Sequence, residues 1–240
     1  MFRSSLPLGA SALDGRSPLA ALLSLAALFG LCVGIAAIFA YDTATLPLVV
    51  FGAAVMATGF GIAYSYPHPV LGACNAVTLA RVAMVAFLAG AVGVADAHPW
   101  VVFSVAAIAF ALDGVDGWLA RRSGLVSGFG ARFDMETDAG LGAILSLWLL
   151  VSGTAGPEIL ILGFMRYAFV AASYVTPSLR APLPESLRRK AICVVQIATL
   201  IILACPLSPA PVAAPLGAVA ALLLSASFVT DILWLARRAG

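Results

Sequence analysis

The sequence predicts an all-α integral membrane protein of eight spans, and three observations carry that prediction. The first is composition: 240 residues are 62% hydrophobic and only 10% charged, with a mean hydropathy of +1.08. A soluble domain carries about 25% charged residues, so most of this chain's outside must suit lipid. The second is the length of the apolar runs, which approach the roughly 20 residues a bilayer-crossing helix needs. They are continuous rather than alternating, which excludes the strands of a membrane barrel. The third is the segregation of basic residues into every second connection.

Taken in order, the spans fall near 18–40, 46–66, 75–95, 99–121, 129–152, 156–177, 187–206 and 212–236. The first run is too long for the apolar region of a signal peptide and a second span follows directly, so it reads as an anchor. With the N-terminus inside, the inner segments carry Arg3, Arg16, Arg121, Arg122, Arg180, Arg188, Arg189, Lys190, Arg237 and Arg238. The outer connections near 41–45, 96–98, 153–155 and 207–211 hold no Lys or Arg. That asymmetry is the positive-inside pattern, with both ends cytoplasmic. Removing one span would throw the later basic clusters to the wrong side.

The longest polar stretches, 1–17 and 178–189, are too short to fold alone; the second contains Pro182 and Pro184 and reads as a cytoplasmic loop. Its basic cluster sets topology and also suits anionic headgroups. A net charge of +2 gives no reason to expect nucleic acid as a partner. Cys32, Cys74, Cys193 and Cys205 show neither CxxC nor Cys/His spacing, so neither a disulfide framework nor a structural zinc is expected.

The informative residues are the acids. Asp42, Asp96 and Glu158 fall at outer ends, and Asp14 and Glu185 in inner segments. Asp113, Asp116, Asp134, Glu136 and Asp138 crowd into 26 positions at the facing ends of spans four and five. Each ionisable group inside a span costs at least about 2.5 kcal/mol on insertion scales. Asp113 and Asp116 are three apart and Asp134 and Asp138 four apart, so each pair shares a helix face. The short loop 122–128 lets the two faces oppose each other. Four carboxylates in one gap repel unless neutralised, and only Arg121, Arg122 and Arg132 lie near in sequence. Hard divalent cations answer that need, since Mg²⁺, Mn²⁺ and Ca²⁺ favour carboxylate oxygens. Gly114, Gly117, Ala120, Gly124, Gly128 and Gly130 leave the surroundings without bulk, which serves close helix packing or leaves room for a phosphate-bearing ligand.

The run DGVDGWLAR, then eight residues, Gly130, three residues, Asp134, three residues and Asp138, resembles the signature of the CDP-alcohol phosphotransferase family. All eight fixed positions of D-x2-D-G-x2-A-R-x8-G-x3-D-x3-D are met. The resemblance covers roughly residues 70–236 and implies a six-helix catalytic core over 70–240, with residues 1–69 adding an N-terminal segment and two extra transmembrane helices. CNAVTLAR (74–81) resembles the family's Asn-x2-Thr-x2-Arg opening, although a helix cap and a snorkelling arginine account for it equally simply. RRKAICVVQ (188–196) is similar to a basic-then-Gln pattern of a later core helix, and topology charge alone also explains it.

What the resemblance implies is transfer of a substituted phosphoryl group from a CDP-linked lipid, usually CDP-diacylglycerol, to a small alcohol, with release of CMP. It implies two Mg²⁺ or Mn²⁺ ions per site. Asp113 and Asp134 would bridge them, Asp116 would ligate the first and Asp138 the second. Asp138, the carboxylate least saturated by metal, would be the general base, because cations depress the basicity of the others. Gly117, Ala120, Arg121, Ser127 and Gly130, with Asn75, Thr78 and Arg81, would bind the CDP end of the substrate. A homodimer in a bacterial inner membrane, with the active site facing the cytoplasm, is implied as well.

Acceptor identity is less legible. Arg166, mid-span in FMRYAF, resembles an arginine of members that accept phosphorylated alcohols, and Lys190 is a second candidate acceptor-binding residue. A second arginine expected one or two turns after Arg166 is absent, with Ser173 on that face, and FDMETDAG departs from glycerophosphate-accepting members at Met135 and Ala139. Glu136 reads as a partner for Arg132. Asp231 reads as the partner of a neighbouring basic residue. The run Gly30 to Gly34 offers a close-packing face, within the chain or between copies.

Transport is the rival class, because intramembrane acids also mark ion pathways. Carriers show inverted repeats and broken helices, whereas these acids sit at one end of one helix pair with no matching copy. A degenerate scaffold that keeps the metal site without turnover is disfavoured because all four aspartates are intact. An intramembrane aspartyl protease would need two lone aspartates in separate motifs.

Overall fold

The computed structural model describes residues 17–94, 97–181, 184 and 186–239. Arg3, Asp14, Arg16, Asp96, Pro182 and Glu185 lie outside the described residues. Eight α-helices follow in order among those described: α1 (Pro18–Tyr41), α2 (Thr45–Ser65), α3 (Gly72–Val92), α4 (Pro99–Ser123), α5 (Gly128–Val151), α6 (Leu160–Val175), α7 (Leu187–Ala204) and α8 (Ala210–Ala239). Single 3-10 turns, Pro157–Ile159 and Pro177–Arg180, precede α6 and follow it.

Local chemistry explains the ends. Pro18 opens α1, where its missing N–H costs nothing, and Ser17 Oγ accepts from the Ala20 amide at 3.3 Å. Asp42 stops α1 in the left-handed region at φ 58°. Pro99 opens α4 in the same way. Ser127 caps α5: its carbonyl accepts from Ala131 at 3.1 Å and its Oγ from Gly130 at 3.0 Å.

Six helical segments are long and apolar enough to cross a membrane: α1, α2, α3, α4, α6 with its preceding turn, and α8. The chain is therefore an all-α, multi-pass integral membrane protein. α5 and α7 stand apart from those six for an electrostatic reason. α5 carries Arg132, Asp134, Glu136 and Asp138 in its first half, and α7 opens on Arg188, Arg189 and Lys190.

The helices divide into two compact units. The first contains α1, α2, α3 and residues Val105–Thr137. Its core joins Leu22 and Val33 of α1, Phe51 and Ile62 of α2, Leu79, Val82 and Ala86 of α3, and Phe129 and Phe133 of α5. Thus α1 and α2 pack with α3 in one body. α3 is the buried helix of this unit, whereas α1 and α2 present Leu31, Phe39, Met56 and Phe60 outward. Exposed apolar faces of that kind suit lipid, not water. Gly30 and Gly34 face α2: a Cβ on them would meet Phe51 at 3.5 Å and Leu48 at 3.7 Å. That close-packing face is used within the chain.

The second unit contains the start of α4 and residues from Asp138 onward. Arg188 of α7 donates to the Ser227 carbonyl at 2.9 Å and pairs with Asp231, both on α8. Arg189 lies 3.6 Å from the same carboxylate. The basic partners of Asp231 come from α7, while Arg238, a candidate from its own helix, lies over the Trp234 ring at 4.2 Å. Gln196 of α7 donates to the Leu162 carbonyl of α6.

Candidate functional site

The site is built on one face of α3. Asn75, Thr78 and Arg81 step by three residues, so they line up along the helix, and all three are buried. Arg81 is the tenth residue of α3, about 13 Å from the helix start at 1.5 Å per residue. A charge that deep in an apolar helix needs partners from elsewhere in the fold. Its Nε donates to the Ala109 carbonyl at 3.1 Å, Nη2 lies 3.1 Å from Asp113 Oδ1, and Nη1 lies 2.8 Å from Asp116 Oδ2. Nη1 also donates to Asp134 Oδ1. The planar fork therefore spends its donors on α4 and α5 together, which a lysine's single ammonium would not reproduce. The snorkelling arginine anticipated as a simple alternative is not what forms: Arg81 is 1% exposed and turned into the protein.

Around that guanidinium, one oxygen from each of Asp113, Asp116 and Asp134 falls within 4.8 Å of the others. Asp116 is buried and also accepts from Thr78 Oγ1 at 3.0 Å, while Asp113 and Asp134 are half-exposed. Three carboxylates and one guanidinium give these four side chains a formal net charge of −2. Converging hard oxygens with a residual charge of that sign fit a divalent cation. Asp138 lies one turn beyond Asp134 on α5, is half-buried, and is the first α5 residue of the second unit.

Most of the remaining expected substrate residues surround the α4–α5 connection. Gly117 and Ala120 are half-buried and Arg121 is exposed; a Cβ on Gly117 would approach Arg121 Nη1 to 3.4 Å. Cβ atoms on Gly114, Gly124 and Gly128 would meet nothing within 4 Å among the described residues. These glycines thus leave open space instead of serving close helix contact. Ser127 Oγ accepts from Gly130 as the α5 cap, which leaves its hydroxyl proton able to donate. Of the two acceptor candidates, Arg166 is half-buried on α6 and Lys190 is exposed in the first turn of α7, both in the second unit.

Asn75 is not a side-chain cap of α3. It sits one turn inside, and its Nδ2 donates to the Leu71 carbonyl at 2.6 Å and to the Tyr66 hydroxyl at 3.0 Å. Burial, with a smaller push from Cys74, raises the Tyr66 phenol to about 12 against the opposing hydrogen bond from Asn75. Tyr66 therefore remains a neutral hydroxyl at physiological pH. Sequence reasoning missed Tyr66, which carries no motif, and missed Arg81 as the counter-ion of the aspartates. The only signal for the latter was a lone arginine deep in an apolar run.

Residues 71–232, more than half of the chain, match the family model described as CDP-alcohol phosphatidyltransferase. No curated protein and no solved structure matches the chain.

Proposed function

Because the chain belongs to the CDP-alcohol phosphatidyltransferase family, we propose that it transfers a phosphatidyl group from CDP-diacylglycerol, or a similar CDP-alcohol, to the hydroxyl of a small alcohol. The observation that carries this reading is the set of three carboxylates converging around buried Arg81 with net negative charge. In the reaction, the acceptor oxygen bonds to the lipid-bearing phosphorus. The bond from that phosphorus to the bridging oxygen breaks, and CMP leaves with the electron pair.

Asp113, Asp116, Asp134 and Asp138 would hold Mg²⁺ or Mn²⁺, two per site, which when bound neutralise the pyrophosphate and stabilise the leaving CMP. Arg81 keeps the carboxylates apart and oriented, using the fixed geometry of its fork. Asp138 takes the acceptor's proton as general base. Arg121 pairs with phosphate oxygens, and Ser127 donates its free hydroxyl proton. Gly117, Ala120 and Gly130 leave room for the nucleotide, and Asn75 and Thr78 line its inner side. Arg166 and Lys190 are assigned to the acceptor.

The basic residues at the ends of α4, α6 and α8 and the start of α7 support a cytoplasmic placing of these ends by the positive-inside rule. In this topology α5 and α7 complete eight spans, in an inner membrane of bacterial type. A lipid donor then keeps its tails in the bilayer while its nucleotide reaches the site from the cytosol. A homodimer rests on the family likeness alone.

CMP release by the purified protein tests the reading. CDP-diacylglycerol and Mg²⁺ or Mn²⁺ are supplied with glycerol 3-phosphate, inositol, inositol phosphate, serine or choline in turn. Metal-dependent release with one acceptor, lost in Asp138→Asn, is the expected result. Absence of both release and CDP-lipid binding would overturn it and return the carboxylates to the ion-transport reading.

A further inference from the structure

Residues ahead of the matched region reach into the site. Tyr66, in the connection between α2 and α3, lies outside 71–232. Its hydroxyl proton is directed at the carbonyls of Val70 and Leu71, at 2.8 and 2.9 Å. That leaves an oxygen lone pair for Asn75, whose two amide hydrogens go to Tyr66 and Leu71. A flipped amide would set Oδ1 against the Leu71 carbonyl oxygen, lose that bond, and draw the Tyr66 proton away from the Val70 and Leu71 carbonyls. Asn75 Oδ1 is thereby held on the opposite side, 3.6 Å from where a Cβ on Gly130 would stand.

The same segment seats the loop that carries Ser127 and Gly130. The Tyr66 ring packs edge-on against Phe129 with centroids 5.3 Å apart. His68 Nε2 lies 3.4 Å from the Val126 carbonyl. On α2, Gly61 makes room for the Phe129 ring: a Cβ there would come within 2.6 Å of Cε2.

We propose that Tyr66 is a positioning residue for nucleotide binding, fixing the Asn75 amide so that its oxygen accepts from a donor group of the cytidine moiety, and seating the α4–α5 loop through Phe129. This rests on the reading of Asn75, Ser127 and Gly130 as the CDP end of the site. Helix α2 and the connection after it then have a function beyond anchoring: they carry a wall of the nucleotide pocket.

The test is a double-mutant cycle on the full chain in detergent or nanodiscs, with CDP plus Mg²⁺ as the probe, read by calorimetry. Tyr66→Phe keeps the ring and removes the hydroxyl, which is both the acceptor for Asn75 and the donor to the Val70 and Leu71 carbonyls; the Asn75→Ala background separates the two. Tyr66→Phe should weaken CDP binding about five- to tenfold, the size of one lost hydrogen bond, and leave Mg²⁺ binding without nucleotide within twofold. In an Asn75→Ala background the same change should cost less than about twofold, because the group it acts through is gone. An undiminished loss in that background, or no loss in the wild-type background, overturns the proposal. Phe129→Leu keeps the hydroxyl and removes the ring contact; unchanged CDP binding there overturns the seating of the loop. A wild-type protein that binds Mg²⁺ but not CDP fails the underlying assignment, and that outcome is separate from a wild type that binds CDP while Tyr66→Phe is silent.

Discussion

Arg81 and Asp116 form an ion pair with both side chains removed from water, Nη1 to Oδ2 at 2.8 Å and exposures of 1% and 5%. Asp113 and Asp134 join the same guanidinium from less buried positions. The pair ties α3 to α4, and Asp134 extends the tie to α5, so one residue sets the geometry of the whole acidic cluster.

Removing one partner of a buried pair costs about 3–5 kcal/mol, because the other charge is left uncompensated. Arg81→Ala should therefore lower the thermal unfolding midpoint in detergent sharply. Arg81→Lys should fall between, since it keeps charge but cannot serve three carboxylates and the Ala109 carbonyl. An Arg81→Ala protein as stable as the parent would show that the cluster does not depend on this counter-ion.

Asp113→Asn and Asp134→Asn should act on metal before they act on fold, because both carboxylates are partly solvated. Loss of a charged oxygen ligand should weaken Mn²⁺ binding by at least about tenfold, the scale even of losing a group that only hydrogen-bonds to a metal ligand, and abolish CMP release. Calorimetry with Mn²⁺, run beside unfolding curves, separates the two effects. Retained turnover in either variant would sink the two-metal assignment.

Gly72 and Gly124 offer a controlled comparison. Both have positive φ, +74° and +71°, but a Cβ on Gly72 would stand 2.3 Å from Leu125 Cδ1, whereas one on Gly124 would meet nothing within 4 Å. Gly124→Ala should cost only the backbone strain of about 1–2 kcal/mol. Gly72→Ala should add an overpacking penalty of about 1–3 kcal/mol. Equal midpoints for the two variants would mean that Leu125 swings aside freely.

In the second unit, Arg188 and Arg189 converge on Asp231. Arg188→Ala and Asp231→Ala should each destabilise, and the double variant should lose less than the sum, with a coupling of about 0.5–3 kcal/mol. Additive losses would show that the two side chains contribute independently.

The sequence by itself determined the membrane class, the places of the eight helices and the residues of the acidic motif. Each is a local property: hydropathy over a span, prolines and capping residues at the ends, and three- or four-residue spacing that puts carboxylates on one helix face. What only the tertiary structure decided is which of those faces meet. Arg81 is 35 residues from Asp116 and 53 from Asp134, and its partnership depends on how α3 is rotated against α4 and α5. On the α5 side that rotation is supported by apolar packing of α1, α2 and α3 around Phe129 and Phe133. Tyr66 was illegible for the same reason. Its role depends on one hydroxyl reaching Asn75 across a turn and one ring reaching Phe129, and no local pattern of hydropathy or spacing encodes either contact.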